Sequence, residues 1–125
     1  MSPISAADSL ALAKKHLARV LDSWDPPDWL DLAAYGLYAL EAATVAAGLH
    51  LGNAPKRTHW NKAELARDLA RNEGLPDIAA LMGDLNEVRK SEAYGDIASP
   101  PMLDPENVAR KVEAYVNSVD ALLKR

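Results

Sequence analysis

Apolar residues recur along this chain at steps of three and four, the period of a helix with one buried face. Sustained alternation with polar residues, the mark of a strand, is absent, and β-branched residues never cluster. Five such blocks are separated by Pro, Gly and Asn. The first runs from about Ser5 to Ser23, where Leu10, Ala13, Leu17, Val20, Leu21 and Trp24 keep helical spacing. Ser5 with Asp8 three residues on reads as a capping box, and Asp25, Pro26 and Pro27 end the block. The second opens at Asp28 and continues to about Leu51. Its interior is apolar on nearly every side, which predicts a central helix touching several neighbours. Gly36, Ala39, Ala43, Ala46 and Ala47 would let another helix approach closely, and a self-association surface is one expected use of them.

Gly52 to His59 reads as a loop. Asn61 with Glu64 is a second capping-box pattern, predicting a short helix through about Asn72 that Gly74 terminates. Pro76 then fits the first turn of a fourth helix with Ile78, Leu81, Met82, Leu85 and Val88 on one face and Gly95 as its C-cap. After a loop from Asp96 to Leu103, Asp104 caps a fifth helix that has Pro105 at its first position. Val108, Val112, Tyr115, Val116, Val119, Leu122 and Leu123 form its stripe. The expectation is an all-α fold: a compact antiparallel bundle of about five helices forming one domain over residues 1–125.

Composition narrows the chemistry. At 125 residues, 49% hydrophobic and 26% charged, the chain belongs to the globular class. With no cysteine it can form neither disulfides nor a thiolate zinc site. Leu32 to Leu51 is long enough to span a bilayer, but Glu41 at its centre is costly there, so a core helix rather than a membrane span is expected. The start lacks the pattern of a secretory signal, which makes a cytoplasmic location the expectation. The net charge of −4 argues against broad nucleic-acid binding. It is unevenly spread: from Lys56 to Arg71 five bases face two acids, whereas from Glu73 to Glu106 eight acids face two bases.

The most informative stretch is Leu85-Asn86-Glu87-Val88-Arg89-Lys90-Ser91-Glu92-Ala93-Tyr94-Gly95-Asp96. It resembles the fourth-helix signature of HEPN proteins, in which an arginine is followed, after four to six intervening residues, by histidine or, in a subgroup, by an aspartate-tyrosine-glycine ending. The Ala/Tyr-rich helix over residues 35–48, His59 after the next loop and the last amphipathic helix fall in the family's order. The resemblance implies a helical bundle that dimerises with its motif helices near the two-fold axis. It also implies metal-independent ribonuclease chemistry in many members, often toxins or defence proteins paired with a nucleotidyltransferase-like partner. In those the arginine neutralises the phosphate while the histidine moves a proton as the 2′-hydroxyl attacks.

Arg89 matches that arginine, but Tyr94, Gly95 and Asp96 occupy the places where histidine falls, and Lys90 replaces the polar amide that often follows the arginine. A tyrosine can donate a hydrogen bond to phosphate but is a poor base at neutral pH. Candidate catalytic residues are therefore Arg89 with Tyr94 and Glu92. The bland alternative for Arg89 is an ion pair with Glu87 or Glu92, and for Tyr94 simple packing over the helix end.

Lys56-Arg57-Thr58-His59-Trp60 combines cations with an aromatic ring, the ingredients for holding single-stranded RNA by charge and stacking; Lys90 joins them as a candidate binding residue. Against that, Trp60 also fits a hydrophobic staple that closes the loop on the core ahead of an Asn61 cap, and this is the favoured reading. His50, His59 and Glu64 match no compact metal motif, and His16 beside Lys14, Lys15 and Arg19 reads as a solvated face. Neither a metal nor a cofactor is called for.

Two functions remain open. One is a non-catalytic homodimeric module that binds a nucleic acid, a nucleotide or a protein partner. The other is a ribonuclease with a non-histidine proton carrier. A bundle unrelated to HEPN proteins is the third reading, and the missing histidine favours binding over cleavage.

Overall fold

A computed structural model describes residues 4–53, 59–94 and 103–125, with the side chains of His59 and of residues 92–94 left out. The described residues form five helices: α1 (Ala6–Leu21), α2 (Trp29–His50), α3 (His59–Glu73), α4 (Ala79–Tyr94) and α5 (Pro105–Leu123). Their caps explain the boundaries. Ser5 and Asp8 close both arms of the expected capping box. Asp28 accepts from the Asp31 amide, and Asp104 accepts from Asn107 with Pro105 in the first turn. Each cap satisfies amides that a helix start leaves without partners.

Two starts differ from the sequence pattern. Helix α3 begins at His59, so Asn61 lies inside its first turn rather than capping it. Helix α4 begins at Ala79, because the Asp77 carboxylate takes the Ala79 amide at 3.3 Å. Pro76 stays in the connection, where buried Leu75 and Ile78 pin the chain to the core. Gly74 ends α3 with a φ of +74°, as its position suggested. The expected Gly95 cap lies outside the described residues.

Helix α2 is the axle of the bundle. Most of its 22 residues are buried, Glu41 and Thr44 among them, and α1, α3, α4 and α5 all pack on it. It is long and apolar enough to cross a membrane, yet it serves here as the core helix. Helix α1 runs antiparallel to it, so that Ser9 near the start of α1 donates to the Ala42 carbonyl at 2.7 Å while His16 lies beside Tyr35 and Tyr38. Leu123 at the end of α5 lines one shallow pocket with Ala6, Leu10 and His50. Val112 of α5 and Leu85 of α4 both face Gly36 in the first half of α2. Helices α2 and α5 therefore run the same way, a course that needs the α3–α4 excursion between them.

The Gly/Ala face of α2 is consumed inside the chain. Gly36, Ala39, Ala43, Ala46 and Ala47 are all buried by neighbouring helices and present no surface to a second copy. The sequence offered them for self-association because close approach and self-association call for the same small residues.

One buried polar pair locks α5 to this axle. The Thr44 hydroxyl donates to the Leu40 carbonyl at 2.8 Å. Its single proton is thereby used, so Tyr115 donates to Thr44 Oγ1 at 3.0 Å. Burial pushes the Tyr115 hydroxyl up to about 12, against the opposing Thr44 hydrogen bond. Removing the acceptor should hurt more than removing the donor. Thr44→Val strands a buried O–H and should cost about 1–3 kcal/mol, whereas Tyr115→Phe leaves Thr44 bonded to Leu40 and should cost about 1 kcal/mol. Urea denaturation of the two variants checks the order, and equal losses would contradict this donor assignment.

Candidate functional site

Helix α4 buries Leu81, Met82, Leu85 and Val88, which leaves Arg89 on the shoulder of that stripe, half-buried. Asn86 precedes it by three residues and so shares its side of the helix. Arg89 Nη2 donates to Asn86 Oδ1 at 2.8 Å. Its Nε is buried and has no hydrogen-bond partner. Of the two expected ion-pair partners, Glu87 lies two positions back, on another side of the helix, and makes no pair with Arg89, while the side chain of Glu92 lies outside the described residues. Glu87 instead sits 3.8 Å from Lys90, and both are exposed. Among the described residues Arg89 has no ion pair. An orphaned buried N–H costs about 1–3 kcal/mol, which is tolerated where the group has something to do.

Of the other candidates, Lys90 is exposed and paired with Glu87. Lys56 and Arg57 lie outside the described residues, as do Asp96 and the side chains of His59, Glu92 and Tyr94. Trp60 is 68% exposed, so it does not act as a staple closing the loop on the core. With α3 starting at His59, Trp60 stands nine residues before buried Leu69, two and a half turns away and thus on the opposite side. An open indole on α3 favours the stacking role over the structural one.

A second cluster was not legible as a unit. His16, read as a solvated residue, is inserted beside two tyrosines of α2, its ring centroid 5.8 Å from Tyr35 and 5.7 Å from Tyr38. The two tyrosines meet edge to face at 6.3 Å. Arg19 covers Tyr35 from the other end, with its guanidinium carbon 5.1 Å from the ring centroid and Nη2 donating to the Tyr35 hydroxyl at 3.5 Å. Partial burial, and secondarily the neighbouring Lys15, hold the His16 imidazole below the usual histidine range. The spacings His16–Arg19 and Tyr35–Tyr38 were visible, but only the antiparallel register of α1 on α2 brings them together.

No known protein family, curated protein or solved structure matches this chain. What it can do chemically is set by these side chains. Among the described residues no group of three or more His, Asp or Glu is placed to hold a metal. The pocket at the end of the bundle, about 440 Å³, is lined by Ala6, Ala7, Leu10, Ala11 and Leu123, with Lys14 and His50 at its edge. Lys14 is already engaged with Asp120 at 3.4 Å. That leaves Arg89 as the cation whose setting is hardest to explain by structure alone.

Proposed function

We propose that this protein is a HEPN-like bundle that binds RNA without cleaving it, using Arg89 as a phosphate contact. The observation that carries the reading is the state of Arg89. Its guanidinium is half-buried on the motif helix and held by the Asn86 amide, with one N–H unpartnered and no carboxylate bonded to it among the described residues. A guanidinium paired with a neutral amide keeps its full charge for an anion, and phosphate is the anion its planar fork fits best. The exposed indole of Trp60 supports the same ligand class, since bases stack on open aromatic faces. Cleavage needs a group able to take a proton near neutral pH, and the three positions after Arg89 where the family's histidine falls are Tyr94, Gly95 and Asp96.

Other parts of the proposal rest on the resemblance. They are assembly as a homodimer through the motif helix, a nucleotidyltransferase-like partner, and a toxin–antitoxin or defence setting in the cytoplasm. A second copy would have to meet α4 or another outward face, since the small-residue face of α2 is occupied.

Filter retention of a mixed RNA pool tests the binding role. Wild-type protein should retain RNA, and Arg89→Ala should weaken retention by about ten- to a hundredfold, as for loss of a charge-assisted contact of about 1.5–3 kcal/mol. Asn86→Ala should keep the charge and most of the affinity. Equal retention by wild type and Arg89→Ala would remove Arg89 from the ligand and leave a structural bundle.

A further inference from the structure

We propose that the paired face of α1 and α2 formed by Lys15, His16, Arg19, Tyr35 and Tyr38 is a separate binding site for an unpaired stretch of nucleic acid. Phosphate would lie on Lys15 and Arg19, and a base on Tyr38. The site goes beyond the role given to Arg89: it uses different helices and would stand if Arg89 touched no ligand.

Three observations lead there. First, the charge is uncompensated. Among the described residues neither Lys15 nor Arg19 forms an ion pair, whereas Lys14, Lys90, Arg71, Arg110 and Lys124 all do. On a chain of net charge −4, Lys15 and Arg19 put two such cations four residues apart, on one side of α1. Second, the aromatic groups are already ordered. Tyr35 is fixed between Arg19 and His16, which sets the edge-to-face tilt of Tyr38. Tyr38 remains 36% exposed, so a flat ligand can cover its ring without the side chain having to be immobilised first. Third, the polar balance is cationic: Arg19 donates to the Tyr35 hydroxyl, and no carboxylate is bonded to Lys15, Arg19, Tyr35 or Tyr38 among the described residues. That balance suits phosphate oxygens rather than a basic peptide.

Single strands fit better than a duplex. Two cations neutralise few phosphates, and the acidic body repels the dense charge of a double helix. An unpaired base offers its face to an aromatic ring, and stacking of this kind tolerates any sequence. No closed cage of donors surrounds the patch, so inorganic phosphate alone should bind weakly.

The test is fluorescence anisotropy of a labelled oligouridylate of about 12 nucleotides, a length within the usual span of single-strand sites. Wild type is compared with Tyr38→Ala, Tyr38→Phe, Arg19→Gln and Arg89→Ala, each first shown by circular dichroism to melt like the parent. Tyr38→Ala and Arg19→Gln should each weaken binding roughly tenfold, while Tyr38→Phe retains it because the ring and not the hydroxyl carries the stack. Arg19→Gln should also flatten the dependence of log affinity on log salt by about 0.7. No binding by folded wild type overturns the proposal, as does wild-type affinity in both Tyr38→Ala and Arg19→Gln. Loss in Arg19→Gln alone, with Tyr38→Ala unchanged, also overturns it, since that is non-specific charge attraction. Arg89→Ala reads the other site: unchanged binding there removes Arg89 from the ligand and leaves the α1–α2 site standing.

Discussion

Tyr115→Ala should lower the melting temperature by roughly 10–20 °C, the largest loss expected from any single substitution considered. Tyr115 is fully buried and heads the largest side chains in the core. It sits mid-stripe on α5 with Val112, Val116 and Val119, all of them also fully buried. Truncating an aromatic in such a setting costs about 3–5 kcal/mol, because the surrounding helices relax only partly into the space. The Thr44 hydroxyl would lose a donor but keep its bond to Leu40, so the polar loss adds little. Against a usual total of about 5–15 kcal/mol, this removes a large share of the stability. Thermal melts followed by circular dichroism give the answer. A shift of no more than about 3 °C would mean that α5 is not docked on α2 as described.

Gly48→Ala is the second large effect, and it runs against helix propensity. In an open helix the change would stabilise by up to about 1 kcal/mol. At Gly48 the chain turns back on itself: Asn53 donates to the Gly48 carbonyl at 2.7 Å, and Gly52 takes a φ of +85° to make the reversal. A Cβ at Gly48 would run into the Asn53 carbonyl, which is backbone, and would lie 2.9 Å from Leu65 Cδ2 of α3. A flexible side chain could yield, but a backbone carbonyl fixed by that turn cannot without opening it. The expected cost is about 1–3 kcal/mol, typical of overpacking, together with loosened docking of α3. Gly83→Ala is the control. It lies in α4 with nothing within 4 Å of the added carbon and should be neutral or stabilising. Denaturant melts of the two variants should move in opposite directions, and matching shifts would contradict this account of Gly48.

Most of the fold could be read from the sequence because its helix starts are written in side chains. Ser5 with Asp8, Asp28, and Asp104 with Pro105 each bond where their spacing predicts. The all-round apolar character of α2 placed it at the centre correctly. Boundaries failed where a cap pattern met competing local bonds or packing. Asn61 and Glu64 have the spacing of a capping box, but the helix had already begun at His59. Pro76 suits a first turn, yet the Asp77 side chain and the buried Leu75 delay α4 to Ala79.

The site was legible in one part only. Arg89 stood out by motif, but the sequence did not name its described partner Asn86, which lies three residues back and meets it where Glu87, two back, does not. Trp60 misled because a staple depends on where the helix starts, and with Asn61 taken as the cap that start was misplaced by three residues. The His16–Tyr35–Tyr38–Arg19 cluster was hidden for a different reason. It belongs to two helices, and only their packing register decides which side chains meet.

The central claim, that Arg89 holds RNA in a site that no longer cuts it, is tested most directly by one incubation read in two ways. Purified protein and a mixed RNA pool are combined without added metal beside the Arg89→Ala variant, and both the RNA retained and its length distribution are measured. Wild type should retain RNA, the variant should retain less, and the RNA should stay full-length in both. Shortening of the RNA by wild type that vanishes in Arg89→Ala would contradict it and make the protein a ribonuclease with a proton carrier other than histidine.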